Sequence, residues 1–299
     1  MEKDFGGPFK NIAYFLIFIA VFNISWASIL VRLTNAPGVI CGTWRLVFSA
    51  ILTWLIVFLT TKIEEFKTLN IRTIILSFFS GLALAIHFAS WMESLFLLSV
   101  AVSVTLVVTY PLITALIEHF ILKDRIKNIQ WIGIIIAFIG ATTLSLRSAE
   151  NSFDMYMNSV LGVLLAILGA FTAAIYFTLG RIIRREVSTS VYTSITYTSA
   201  ALSLITFSIT AGYNIFNYEP STWIYFLLLA IIPMLGGHSI LNYLLKYIKA
   251  SIITATVLGE PIGASILAAL VLNEILPIDA YIYMLITILG IFLVIYYRD

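Results

Sequence analysis

A shift of 150 residues lays the second half of this chain over the first. Pro111 falls on Pro261, Leu122 on Leu272, Asp124 on Glu274, Ile132 on Ile282 and Gly140 on Gly290. Each proline stands midway along an apolar run of about twenty residues, the length that crosses a ~30 Å hydrocarbon core. Each acid follows a leucine at the end of that run. Duplicated spans with a helix breaker at matching depth form the pattern of membrane carriers built from two repeats around a midplane site.

Composition agrees with this reading. The chain is 61% hydrophobic and 11% charged, with a mean hydropathy of +1.04, whereas soluble domains carry about 25% charged residues. The expectation is an all-α membrane protein of ten transmembrane helices, arranged as two inverted five-helix repeats over residues 1–150 and 151–299. The spans read near 11–31, 39–60, 73–92, 97–121 and 128–147, then 159–180, 189–211, 221–244, 250–272 and 278–297. The two longest breaks are Thr61–Arg72 and Ser148–Asn158, and the second divides the copies. The short N-terminus has mixed charge, and the run after it reads as a first span without a cleavage site. Cys41 is the single cysteine, which excludes an intrachain disulfide and a thiol metal cluster.

Lysine and arginine in the loops set the orientation. With the N-terminus inside, the inner ends hold Lys3, Lys10, Lys62, Lys67, Arg72, Lys123, Arg125, Lys127, Arg181, Arg184, Arg185, Lys246, Lys249 and Arg298. The outer ends keep only Arg32 and Arg147, and Arg45 lies within a span. At about 1 kcal/mol per basic residue near an anionic surface, this bias is large. A multi-pass protein of the plasma membrane with both termini cytoplasmic is expected. Five spans per copy is odd, so the second copy enters from the opposite side. The loops agree: Lys123, Arg125 and Lys127 follow the fourth span, whereas only the acids Glu274 and Asp279 follow the ninth.

Leu258-Gly259-Glu260-Pro261 followed by Leu272-Asn273-Glu274 is similar to the "L-x-E-P … L-x-E" pattern of helix nine in the drug/metabolite transporter superfamily, in its ten-helix form with two EamA-type repeats. The first copy keeps the frame as Thr109-Tyr110-Pro111 and Leu122-Lys123-Asp124, with Tyr for the first acid. His87-Phe88-Ala89-Ser90-Trp91 through Ser103, and His238-Ser239-Ile240-Leu241-Asn242, also resemble EamA permeases, and Arg45 matches an arginine common in the second helix. The resemblance covers nearly the whole chain. It implies a metabolite carrier, often an exporter, working by alternating access without ATP; it implies no substrate.

Glu260 is the sharpest candidate for a binding role. It stands about ten residues from either end of its span, where an ionisable group costs ~2.5–3.5 kcal/mol, so it should face a cavity or a partner. Pro261 cannot donate to the carbonyl of Val257, which would leave an acceptor at the same depth. Two readings stand open: a carboxyl that binds a proton, a cation or a solute amine, and a packing lock with Arg45 or Tyr110. Arg45 lies ~9 Å below the outer face; it could snorkel outward, pair structurally or bind an anionic group. His87, Trp91 and Ser94 share one helix face at i, i+4 and i+7, suited to a polar ring-bearing solute or to an interhelix hydrogen bond. His238 and Asn242, at i and i+4, make a similar face, with structural hydrogen bonding the favoured reading. Glu118 and His119, near the inner end of the fourth span, should reach the headgroups. The small residues Gly162, Gly169 and Ala173, and Gly259, Gly263 and Ala264, mark close helix packing. The third, fourth, eighth and ninth helices should line a central cavity, with Tyr110 and Glu260 near its middle. Arg45 and His87 then fall in the outer half, and His238 and Asn242 in the inner half.

No Walker-type loop, H-E-x-x-H pair or G-x-S-x-G elbow occurs, so no metal or cofactor is expected and an ATP-driven pump is excluded for this chain alone. The leading expectation is a secondary carrier exporting small polar or amphipathic metabolites: amino acids, similar solutes or drugs. The alternatives are an uptake permease or exchanger for sugars or other metabolites, a membrane-embedded enzyme, and a channel or scaffold. The implied partners are the lipid bilayer, a small-molecule substrate and, as a candidate, coupling protons. Nothing points to nucleic acid, and monomer and homodimer stay open.

The charge asymmetry generates a topology test. In a Cys41→Ser background, a cysteine at Asn214 should react with an impermeant thiol reagent from outside, and one at Glu65 should not. Reversed labelling would overturn the orientation.

Overall fold

The computed structural model describes residues 8–98, 100–149, 160–271 and 278–297. These residues form ten helical rods and, among them, no strand. The first half supplies α1 (Pro8–Ser25 and Ala27–Leu33), α2 (Gly38–Leu59), α3 (Ile71–Leu97), α4 (Val100–Val107, Tyr110–Leu116 and Ile117–Ile121) and α5 (Asn128–Ala149). The second half supplies α6 (Val160–Ile183), α7 (Thr189–Thr210), α8 (Pro220–Leu244), α9 (Ala250–Val271) and α10 (Ala280–Tyr296). Leu272-Asn273-Glu274, Lys3 and Arg298 lie outside the described residues, as do the side chains of Lys10 and Arg147.

Large apolar side chains cover the outside of the bundle, among them Phe15, Phe18 and Phe22 on α1 and Leu285, Leu289 and Phe292 on α10. Lipid is the solvent that accepts such a surface. α7 is less apolar, and its hydroxyls explain how it can still lie in the bundle. Thr193, Ser203 and Thr210 donate back to the carbonyls of Thr189, Ser199 and Thr206. Others bond across helices: Tyr192 to Ser80 at 2.7 Å, Tyr197 to Ser239 at 2.9 Å, and Thr198 to the indole of Trp54 at 2.9 Å. Gly81 of α3 makes this contact close, since a Cβ there would strike Thr196 and Ser199.

Proline sets most of the breaks. A proline lacks an N–H, and its ring collides with the carbonyl four residues earlier. α4 is accordingly interrupted before Tyr110-Pro111, and α9 passes through a 3-10 turn, Val257–Gly259, before Glu260-Pro261. Pro233, which the sequence reading did not single out, lies in a run of π-turns, Ala230–Ser239, within α8. α3 runs to Leu97 where a stop near residue 92 was expected, so its link to α4 is very short.

The packing is that of a pseudo-twofold. α3 packs on α6 as α8 packs on α1; α4 on α6 as α9 on α1; α3 on α7 as α8 on α2. The pairs α5/α10, α2/α7 and α4/α9 each map onto themselves. At the α5/α10 crossing, a Cβ on Gly140 would strike Thr287, and one on Gly290 would strike Ala137, the same contact seen twice under the 150-residue shift. A second repeated contact caps helix ends. Arg32 at the end of α1 donates to the carbonyl of Leu95 at 3.0 Å, and Arg181 at the end of α6 donates to that of Leu245 at 2.6 Å. With five rods in each half, the two clamps fall on opposite ends of the bundle, which is the arrangement of inverted repeats.

The basic end departs from the sequence expectation. Glu118 does not reach outward: it is fully buried, and its carboxylate accepts from the backbone N–H groups of Ala250 at 2.7 Å and Ser251 at 2.8 Å, capping the start of α9. Arg181 and Arg184 are also buried, so they are not free surface charges. Arg184 donates to the carbonyl of Asn242 at 3.0 Å and to that of Val187. Asp124, at the end of the first-copy motif, pairs with Lys249 at 3.0 Å and lies 3.7 Å from Arg185. Lys249 also donates to the carbonyl of Arg125 at 2.7 Å. α4, α9 and the α6–α7 loop are thereby tied together at this end.

A buried carboxylate holding two N–H groups has a measurable consequence. Glu118→Gln keeps the shape but leaves one oxygen for two donors, so a loss of about 1–3 kcal/mol is expected. Thermal unfolding of the purified protein checks this; an unchanged Tm would show that the cap does not stabilise α9.

Candidate functional site

The breaks in α4 and α9 meet at the pseudo-axis, and Tyr110 and Glu260 are mates under the 150-residue shift. Both line one central chamber, together with Arg45 of α2, His87 and Trp91 of α3 and His238 of α8. Six of the seven sequence candidates are thus brought together. The seventh is not. Asn242 is buried behind the chamber, where its amide nitrogen donates to Tyr176 at 2.6 Å and lies 3.4 Å from Tyr197. α1 and α6 also contribute walls through Ile24, Ala27 and Phe177, so more helices line the chamber than the four expected. The free space is only ≈ 20 Å³, room for about one water.

Glu260 is nearly buried, and no described residue hydrogen-bonds its carboxylate. The open acceptor expected beside it is absent, because the Val257 carbonyl takes the Glu260 N–H through the 3-10 turn. That turn satisfies the backbone locally and leaves the side chain to the chamber. Small residues set the wall behind: Gly263 faces Ser25 and Gly259 faces Val21, both on α1. Tyr110 stacks on Phe177, with ring centroids 5.7 Å apart.

Arg45 does not snorkel. It is 0% exposed, and among the described residues none of its three guanidinium nitrogens has a hydrogen-bond partner. Neither does it form an ion pair with Glu260, the lock that sequence reasoning held open. Its guanidinium lies over the face of Phe88, 4.1 Å from the ring centroid. A desolvated cation–π contact is worth about 2 kcal/mol, whereas taking a charge out of water costs several kcal/mol even after relaxation. The ring therefore offsets only part of the cost of burial. Phe88, which supplies this contact, stood in the quoted motif without a role; its position one residue after His87 was the available signal.

His87 lines the chamber and makes the interhelix hydrogen bond that was one of its two readings. Its Nδ1 bonds the carbonyl of Gly169 on α6 at 2.9 Å. A carbonyl can only accept, so Nδ1 carries the hydrogen and Nε2 is the nitrogen left over. Gly169 and its small neighbours let α6 come close enough for this bond, with Ser90 and Trp91 against the glycine. The His87 and Trp91 rings stack at 6.0 Å. Ser94 turns away and bonds Ser103 at 2.6 Å. Across the chamber, His238 lies between Phe88 and Phe177, at 5.5 and 6.0 Å. Among the described residues no group of three His, Cys, Asp or Glu side chains could hold a metal ion.

Comparison with known proteins bears on this arrangement. The sequence profile of the EamA-like transporter family matches residues 11–146 and again 160–296. The chain is 22% identical over 177 residues to the uncharacterized transporter YdfC of Bacillus subtilis (strain 168), an alignment covering 59% of this chain and 56% of that protein. The chain therefore spans just over half the length of that relative. Its fold is similar to that of a solved crystal structure at 15% identity, with a TM-score of 0.76 over 96% of this chain and 98% of the other.

The orphaned guanidinium yields a stability prediction. If burial of Arg45 costs more than Phe88 returns, Arg45→Met should leave the Tm unchanged or raise it. A structural ion pair would instead give a clear loss, about 3–5 kcal/mol for a broken buried pair. Thermal unfolding of the two purified proteins separates these outcomes.

Proposed function

The chain belongs to the EamA-like transporter family, and on that premise we propose that this membrane transporter is a secondary carrier exporting small polar or amphipathic metabolites, such as amino acids, by alternating access. One observation carries the reading. Glu260, the only acid among the described residues of the chamber wall, stands at the pseudo-twofold where two broken helices cross, opposite its mate Tyr110 and in company with Arg45. A site on the symmetry element is equally placed for access from either end, which is what a rocking carrier needs. The chamber is closed down to ≈ 20 Å³, so a solute larger than water requires the helices to part.

The contacts at the basic end suit a gate. Asp124 with Lys249 and Arg185 forms partly exposed polar links that can be broken and remade in water. We place this end in the cytoplasm of the plasma membrane on the strength of its lysines and arginines. Export is the direction that the family resemblance favours. A membrane-embedded enzyme is less well supported, because the described residues of the chamber wall include no serine, threonine or cysteine to act as nucleophile.

Glu260 is the residue on which coupling rests in this reading. Its carboxyl must gain and lose a proton or a cationic group in each cycle. Glu260→Gln should lower counterflow of a labelled solute in proteoliposomes at least about tenfold, equivalent to ~1.4 kcal/mol on the limiting barrier. Yield and Tm should stay near those of the parent, and the pH dependence of transport should flatten. Full transport with unchanged pH dependence in stable Glu260→Gln protein would sink the coupling role.

A further inference from the structure

We propose that the transported solute carries a carboxylate and that Arg45 is its binding residue, with Trp91 and His238 completing the cradle. This deepens the carrier reading above and rests on it. Five buried nitrogens that line or border one void have no hydrogen-bond partner among the described residues: Nε, Nη1 and Nη2 of Arg45, Nε1 of Trp91 and Nδ1 of His238. What sets these five apart is that they gather at one void, whereas the buried Glu118 and Arg184 are held by backbone partners. Glu118 has two backbone N–H groups, and Arg184 has two carbonyls. A guanidinium and an indole N–H can only donate, and the imidazole Nδ1 donates in one tautomer. The group that satisfies this set must accept, through several lone pairs, from a planar fork. A carboxylate does so, with two oxygens matching two parallel N–H bonds.

The alternatives fit less well. Glu260 is the carboxylate already in the chamber, yet it makes no ion pair with Arg45 in this closed form. A phosphate dianion would leave the chamber with excess negative charge, since Arg45 is the one permanent cation among the described residues of its wall and Glu260 stands against it. A single carboxylate balances Arg45 and leaves Glu260 for a proton or a cationic group on the same solute. The stacked rings of His87 and Trp91, and those of Tyr110 and Phe177, offer flat apolar walls to the rest of the molecule.

Matched acids and amides test the inference. Thermal unfolding of the purified full-length protein is followed with leucine and leucinamide, phenylalanine and phenylalaninamide, butyrate and butyramide, benzoate and benzamide, and a phosphate monoester. At least one acid should raise the Tm and bind at least tenfold more tightly than its amide. Arg45→Lys keeps the charge but loses the fork, so the preference should fall severalfold; Arg45→Gln should abolish it. If Arg45→Gln protein does not fold, Arg45→Lys decides. Equal stabilisation by acid and amide, stabilisation by the phosphate ester alone, no stabilisation by any acid, or a preference unaltered by both substitutions would each overturn the assignment. Counterflow in proteoliposomes keeps the two readings apart. Acids that bind through Arg45 without counterflow would refute the carrier and leave the carboxylate site standing. Counterflow of a neutral or cationic solute that no acid competes with would refute the carboxylate site and leave the carrier standing.

Discussion

Arg45 and Glu260 stand within helices that hydrocarbon surrounds, and lipid offers a charged group neither water nor a partner. The protein must supply what solvent cannot, and most of this structure can be read as doing so. α7 folds its hydroxyls back onto its own carbonyls or across to α3. Glu118 is given the start of α9, and Arg184 the carbonyls of Asn242 and Val187. Against this, the chamber departs from the rule. Its arginine rests on a phenylalanine ring, and no described residue hydrogen-bonds the carboxylate of its acid. Donors left unpaired together around one void, at such cost, are what a binding site for a polar solute requires.

Duplication explains where that chamber lies. Two prolines at matching depth break α4 and α9, the crossing helices map onto one another, and their break residues, Tyr110 and Glu260, arrive at the same point. The repeated arginine–carbonyl clamps, Arg32 to Leu95 and Arg181 to Leu245, hold opposite ends by the same means. Divergence between the copies is just as informative. Only one copy keeps an acid at the break, so the chamber has a chemical polarity that the backbone symmetry lacks. Only the first copy has Glu118, since the equivalent position in the second is Ala268.

Much of the fold was legible because its signals are long. Apolar runs near the span length, an odd number per copy and loops of opposite charge give ten inverted helices without any side-chain geometry. Pro111 and Pro261 marked the breaks for the same reason, a missing N–H that no tertiary contact restores. Where packing decides, the sequence was silent or misleading. Glu118 read as a headgroup contact because nothing local shows that the N-terminus of α9 lies above it. Asn242 shares a helix face with His238, yet Tyr176 and Tyr197 take its amide. Arg45 could as well have snorkelled; the ring of Phe88, on another helix, decides where it goes. The Val257 carbonyl looked free only until the 3-10 turn supplied a different donor.

The proposed carrier requires a single chamber that opens to the two sides in turn, and in the form described here the contacts of the basic end are made. Asp124 and Lys249 touch across that end, at 3.0 Å. With both replaced by cysteine in a Cys41→Ser background, a short thiol cross-link would hold the end shut. Counterflow in proteoliposomes should then stop on cross-linking and return on reduction. Undiminished counterflow with the link in place would contradict the account, because solute would be crossing without that end ever opening.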